Sequence, residues 1–280
     1  MKILITGANG MLGSDLLNVL NSNKNNEIIA TDLDTLNISK ETAIEEIRKC
    51  APELVINVAA YTDVDGCESN RNLAFEANSI GPKNLALACT KINAPLIHIS
   101  TDYVFNGEKK EPYNEEDIPN PINVYGQTKL KGETFIQETF DNYFILRTSW
   151  LYGIGGNNFV KTMLKLSKSN DEISVVDDQI GSPTFTHDLA IAISNLIESD
   201  NYGIYHLTNS GNCSWFEFAK NIFEIANIDI VLNPVTTDEF PRAAQRPKNS
   251  VLNNQKWKNH GFKPLRNYKK ALSDFMELIE

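Results

Sequence analysis

Short apolar runs alternate with amphipathic stretches along the first half of the chain. Ile3-Leu4-Ile5, opening at Lys2, reads as a strand buried on both faces. Residues 14–20 then carry helical periodicity, and the next apolar stretch, 27–31, ends at Asp32. A helix over 40–50 is followed by Pro52 and a strand over 53–58. A long helical stretch covers 70–93, with Gly81-Pro82 as its break or kink. Pro95 opens a strand over 96–100, a helix runs from Tyr125 to about Phe140, and 143–147 is the next strand. This β-α-β rhythm predicts an α/β fold with a doubly wound parallel sheet of Rossmann type over residues 1–150. Beyond 150 the pattern loosens. Helices are predicted over 158–167, 186–199, 214–228 and 267–279, and short strands over 173–176 and 203–207, punctuated by Pro183, Pro234, Pro241 and Pro247. Residues 151–280 read mainly as a smaller C-terminal substrate-binding lobe, with a segment at about 180–205 returning to the first domain.

In a parallel sheet of this kind, ligands bind beyond the carboxyl ends of the strands. Three glycines, Gly7, Gly10 and Gly13, follow the first strand and open the first helix. Glycines there allow a tight bend and let backbone N–H groups reach a pyrophosphate, while the helix N-terminus supplies positive potential. The spacing is Gly-x-x-Gly-x-x-Gly, looser than Gly-x-Gly-x-x-Gly. Asp32, at the end of the second strand, can accept a hydrogen bond from an adenosine ribose hydroxyl and would repel a 2′-phosphate. That favours NADH over NADPH, although Asp34 is also available and Asp32 could merely end the strand. Tyr125 and Lys129 lie four residues apart, on one helix face. An ammonium beside a phenol favours the phenolate, so the tyrosine pKa is expected to fall. Thr101 is a second hydroxyl for the same reacting oxygen.

Composition narrows the function class. The 280 residues suit one large domain or two unequal lobes, and the net charge of −10 without a basic stripe argues against nucleic acid. Cys50, Cys67, Cys89 and Cys213 lack metal-ligand spacing and read as reduced thiols of a cytoplasmic protein. Met1 leads directly into the first strand, leaving no room for a signal peptide, and no apolar run is long enough for a bilayer. His98, His187, His206 and His260 are dispersed and read as structural or surface residues. No amphipathic helix stands out as an obligate interface, so a homodimer stays open.

Thr6-Gly7-x-x-Gly10-x-x-Gly13, Ser100-Thr101-Asp102 and Tyr125-x-x-x-Lys129 together resemble the extended short-chain dehydrogenase/reductase superfamily. Six segments narrow the likeness: residues 57–65, 100–105, 123–130, 147–152, 178–184 and 246–250. In that order they are similar to the dTDP-4-dehydrorhamnose reductase family, over nearly the whole chain. The resemblance implies hydride delivery from NADH or NADPH to C4 of a dTDP-linked 4-keto-6-deoxyhexose, the last step of dTDP-L-rhamnose synthesis for cell-surface polysaccharide. Tyr125 would be the proton donor, Lys129 would hold the nicotinamide ribose, and Thr101 would bond the reacting oxygen. Asp102, Tyr103 and Trp150 would contact the sugar. Gly10, Met11 and Leu12 would form the pyrophosphate turn, Ala59, Ala60 and Tyr61 would lie under the cofactor, and Asn37 and Ile38 beside adenine. The family often has an acidic residue where this chain has Asn37.

Dehydratases of the superfamily carry Thr-Asp-Glu where this chain has Thr101-Asp102-Tyr103, so simple reduction is expected over elimination. Taken alone, Trp150 could equally be core, and Ser182 and Thr184 could serve only a turn. Arg246, in a loop, could pair with a diphosphate or be an ordinary surface arginine. Magnesium at a subunit contact occurs in the family. Asp15 is acidic at a fitting place, but His187 replaces an expected carboxylate, and no metal site is assigned. Two other readings remain: a reductase of a different nucleotide-linked keto-deoxysugar, and a non-catalytic regulatory subunit of the methionine adenosyltransferase type.

Overall fold

The computed structural model describes residues 1–279. In its first half, β1 (Lys2–Thr6), α1 (Met11–Asn21), β2 (Glu27–Thr31), α2 (Thr42–Cys50) and β3 (Leu54–Asn57) lead to α3 (Val64–Ser69) and α4 (Arg71–Phe75). A π-helical turn (Glu76–Ile80) joins α4 to α5 (Gly81–Ile92); β4 (Leu96–Thr101), α6 (Val124–Thr139) and β5 (Tyr143–Thr148) follow. The second half holds β6 (Leu151–Tyr152), α7 (Phe159–Leu166), β7 (Glu172–Val176), β8 (Ile180–Gly181), β9 (Thr184–Phe185) and α8 (Thr186–Leu196). It ends with β10 (Gly203–His206), β11 (Cys213–Ser214), α9 (Trp215–Ile225), β12 (Val231–Val235), α10 (Gln255–Asn259) and α11 (Tyr268–Ile279).

Six strands form one parallel sheet in the order β10-β5-β4-β3-β1-β2. Because strand side chains alternate in direction, neighbouring residues enter different cores. Ile3 and Ile5 pack with α1 and with Leu189 and Ile193 of α8, whereas Leu4 packs on the opposite face with Ile44, Ile47 and Leu85. The chain thus returns from its second half to complete the first layer: α8 covers α1, and β10 pairs with β5 in register Gly203↔Phe144. A separate core centred on Tyr152, Phe218, Ile222 and Phe275 holds the remainder of the second half together. No helix among the described residues is long and apolar enough to cross a membrane.

Three local differences from the sequence reading bear on the site. First, α1 starts at Met11, not at residue 14, because Gly10 is an extended N-cap whose carbonyl accepts from Ser14 N. Second, the break at Gly81-Pro82 takes the form of a π turn over Glu76–Ile80, and α5 opens directly after it with Pro82 in its first turn. Third, α3 was missed; Asp63 caps it, with Oδ1 accepting from Gly66 N at 2.9 Å.

Candidate active site

A cleft of about 1120 Å³ opens at the carboxyl ends of β1, β3, β4 and β5. Its lining brings together Gly7, Gly10, Met11, Leu12, Asp32, Asn37, Ile38, Ala59, Ala60 and Tyr61 with Thr101, Asp102, Tyr103, Tyr125, Lys129 and Trp150. Residues more than a hundred positions apart converge because every strand of the sheet points its end the same way.

The glycine turn is shaped for close approach. Gly7 has φ +73°, and a Cβ there would lie 2.7 Å from the Ala59 backbone. No side chain caps the start of α1 and its first turn carries no acidic residue, so its N–H groups remain available to an anion. Gly13 does not line the cleft; it lets the turn close, since a Cβ would lie 2.2 Å from the Gly7 carbonyl oxygen. This turn fits the diphosphate of a dinucleotide. At the rim, Asp32 is pinned by backbone donors, Asn9 N to Oδ2 at 3.0 Å and Leu33 N to Oδ1 at 2.7 Å. Asn37 Oδ1 accepts from Ser39, and Asn78 of the π turn holds Tyr61 through both its N–H and its carbonyl.

The reactive groups gather where β4 ends. Thr101 Oγ1 donates to Asp102 Oδ1 at 3.0 Å and accepts from Tyr103 N at 3.1 Å, and the Tyr125 side chain lines the same part of the cleft. The Tyr103 ring meets Tyr125 edge-on at 5.9 Å. Burial, with the Asp102 carboxylate second, pushes the Tyr125 phenol above its ordinary pKa. This corrects the expected downward shift. The Lys129 ammonium does not bond the phenol: its Nζ donates to the Ile99 carbonyl at 2.6 Å, and burial lowers Lys129 itself to about 8. Asp102, 2% exposed, is pushed up to about 7 by burial, and its Oδ2 has no hydrogen-bond partner.

Arg246 lies off this cleft, on a neighbouring cavity, with its guanidinium committed to Asp65 at 2.6 and 2.9 Å. It therefore offers no free fork to a diphosphate. Asp15 is buried between α1 and α8, where Oδ2 accepts from Thr186 Oγ1. No cluster of three metal-ligating side chains occurs among the described residues. Trp215, at the start of α9, was not anticipated. It stacks on Trp150 with ring centroids 3.5 Å apart and planes 7° from parallel, and both rings line the cleft. Trp150 has φ +48°, and its indole covers Gly181 so closely that a Cβ there would lie 2.3 Å away. Only an aromatic residue at the head of an amphipathic helix marked Trp215 in the sequence, and that signal is common in cores.

The whole chain, residues 1–280, matches the family model described as the RmlD substrate binding domain. A dTDP-4-dehydrorhamnose reductase from Clostridium acetobutylicum, solved by crystallography, superposes with a TM-score of 0.97 at 48% identity, covering 100% of this chain and 99% of that one. The crystal structure of dTDP-4-dehydrorhamnose reductase from Bacillus anthracis in complex with NADP gives a TM-score of 0.95 at 46% identity, covering 98% of each chain. The spore coat polysaccharide biosynthesis protein SpsK of Bacillus subtilis is 43% identical, over 99% of this chain and 97% of its own.

Proposed function

Because the chain belongs to the RmlD family of dTDP-4-dehydrorhamnose reductases, we propose that it reduces the C4 ketone of dTDP-4-dehydro-L-rhamnose to dTDP-L-rhamnose. The observation that carries this reading is the placement of Thr101, at the end of β4, and Tyr125, on α6, in the lining of the same cleft as the glycine turn. The amides after Gly10 would hold the cofactor diphosphate, Asp32 a ribose hydroxyl, and Ala59 to Tyr61 the face beneath. When bound, a nicotinamide supplies the hydride that a ketone needs to become an alcohol.

The protein supplies the proton and the placement. As C4 is reduced, negative charge grows on its oxygen, and two hydroxyl donors there stabilise the transition state more than the ground state. Tyr125 keeps its proton at neutral pH, because burial and Asp102 oppose the phenolate. It is therefore an acid that yields its proton only to an oxygen becoming strongly basic. Thr101, by turning its hydrogen away from Asp102 Oδ1, would donate the second hydrogen bond. Trp150 and Trp215 wall the sugar side of the cleft and exclude water. The relationship to SpsK supports a role in making surface polysaccharide, in the cytoplasm, where four free thiols persist.

Asp32 supports a preference for NADH, whereas the Bacillus anthracis relative was solved with NADP. The ratio of kcat/KM for the two cofactors, in the parent and in Asp32→Ala, decides this; an unchanged ratio removes the ribose role. The reaction itself is tested by nicotinamide absorbance with freshly made dTDP-4-dehydro-L-rhamnose. Tyr125→Phe is expected to lower kcat by about 10²–10⁴-fold. Full activity in that variant would move the proton donor elsewhere. Faster turnover of a different nucleotide-linked keto-sugar by the parent would reassign the substrate.

A further inference from the structure

His98, in the middle of β4, is 0% exposed and has no part in the reaction just described. Its Nδ1 lies 2.8 Å from Asn57 Nδ2, and its Nε2 lies 3.4 Å from Lys129 Nζ. The protonation of the ring follows from the groups around it. Asn57 Oδ1 accepts from Ala59 N at 3.1 Å and from Thr6 Oγ1 at 2.7 Å. A backbone N–H cannot reverse its role, so the amide oxygen must face Ala59 and the amide NH2 must face His98. Nδ1 then accepts, and a neutral imidazole that accepts at Nδ1 carries its hydrogen on Nε2, pointing at Lys129. Burial, with the Lys129 charge second, keeps the ring neutral far below the usual histidine range.

On its β4 side Lys129 therefore meets one acceptor, the Ile99 carbonyl at 2.6 Å, and one donor, His98 Nε2–H; a neutral amine can donate to the first and accept from the second. An ammonium has only hydrogens to present to an N–H, whereas a neutral amine presents a lone pair. The other charged or titratable groups near Lys129 are Tyr125 and Glu133 on its own helix. Glu133 favours the ammonium but is itself paired with Arg147 of β5. We propose that the buried Thr6–Asn57–His98 chain locks His98 as an Nε2–H donor and so positions the Lys129 amine and favours its neutral form. His98 is thus a positioning residue, and the proposal rests on the reading of Lys129 as part of the reductase site.

The test uses the full-length protein without substrate. Nitrogen-15 spectra of the imidazoles, with His98→Leu to assign the signal, are expected to show His98 protonated on Nε2. A proton on Nδ1 would overturn the proposal, and this measurement needs no variant to fold. Asn57→Asp replaces the amide donor with an acceptor of the same shape, and it is expected to move the proton to Nδ1. The titration of Lys129, followed by its Cε resonance, supplies the second readout. His98→Leu keeps the bulk and withdraws the N–H, so the midpoint is expected to rise by about one pH unit, a tenfold change in the amine-to-ammonium ratio. If His98 only fills space, the added apolar surface leaves the midpoint unchanged or lowers it, and the proposal fails. Absence of reductase activity in the parent, with these spectra as expected, would count against the catalytic reading of Lys129 and leave the tautomer lock standing.

Discussion

Behind the reactive groups lies an ion pair that can be tested by removing one charge and then both. Glu133 and Arg147 are 0% and 2% exposed, with Arg147 Nη2 2.7 Å from Oε2 and Nε 3.0 Å from Oε1. Ser100 Oγ also donates to Oε1, at 2.5 Å. Glu133→Gln removes the charge and keeps the shape. It leaves a guanidinium buried over the Phe105 ring, 5.2 Å from its centroid, with no anion against it and with Nη1 already lacking a partner. Breaking one side of such a pair costs about 3–5 kcal/mol. An unfolding entropy of about 2.1 cal/mol/K per residue over 280 residues turns 4 kcal/mol into a fall in Tm of about 7 °C. Arg147→Met combined with Glu133→Gln removes both charges, and the double variant is expected to be more stable than Glu133→Gln alone. Scanning calorimetry with urea titration of the parent, Glu133→Gln, Arg147→Met and the double variant closes the cycle. A loss below about 1 kcal/mol in Glu133→Gln, or strict additivity in the double variant, would refute the uncompensated-charge argument.

Three further outcomes are expected. Asp102 has a folded pKa raised to about 7, so the native state holds a proton that the unfolded chain loses from about pH 4 upward. Its contribution declines as pH rises through that window, by up to about 1.4 kcal/mol per unit, and Asp102→Asn should flatten this part of the stability profile; identical slopes for the two proteins would contradict it. Gly181→Ala drives a methyl into the Trp150 indole, so the stacked pair with Trp215 should separate and the intrinsic fluorescence change; an unaltered spectrum with unaltered stability would show that the loop yields instead. Cys50 is half-buried while Cys67, Cys89 and Cys213 are buried, so one thiol should react with a disulfide reagent in the native protein and all four after unfolding; four fast thiols would disprove this packing.

Much of the cleft was legible because its chemistry is local. Gly7 and Gly10 in a strand-to-helix turn, Thr101 at a strand end, and Tyr125 and Lys129 on one helix face each announce themselves within a few residues. What escaped depends on residues far apart. Lys129 shares a helix face with Tyr125 in the sequence, but its ammonium turns toward Ile99 and His98 of β4. Nothing local marks His98, because ligand spacing says nothing about a partner thirty-one residues on. Arg246 was offered to a diphosphate, and a carboxylate from α3, itself unrecognised, takes its guanidinium. Trp215 reaches the cleft only because the start of α9, sixty-five residues further along, stacks on Trp150. β12 was passed over because Pro234 argues against a strand, and it survives in a two-stranded parallel pair with β7.

The return of α8 and β10 to the first layer has a consequence for the order in which the protein is made. When residue 150 leaves the ribosome, the glycine turn, β4 and the reactive tyrosine have all been synthesised. The apolar side of α1 still lacks Leu189 and Ile193, and β5 still presents a bare edge. Both are covered only after about 55 more residues, which at roughly 5–20 residues per second means several seconds of exposure. During that interval the nascent half resembles an open sheet seeking a strand. Chaperone demand should therefore peak between these two lengths, and a ribosome stalled at residue 150 should hold an unfolded chain where one stalled well past residue 206 holds a folded layer.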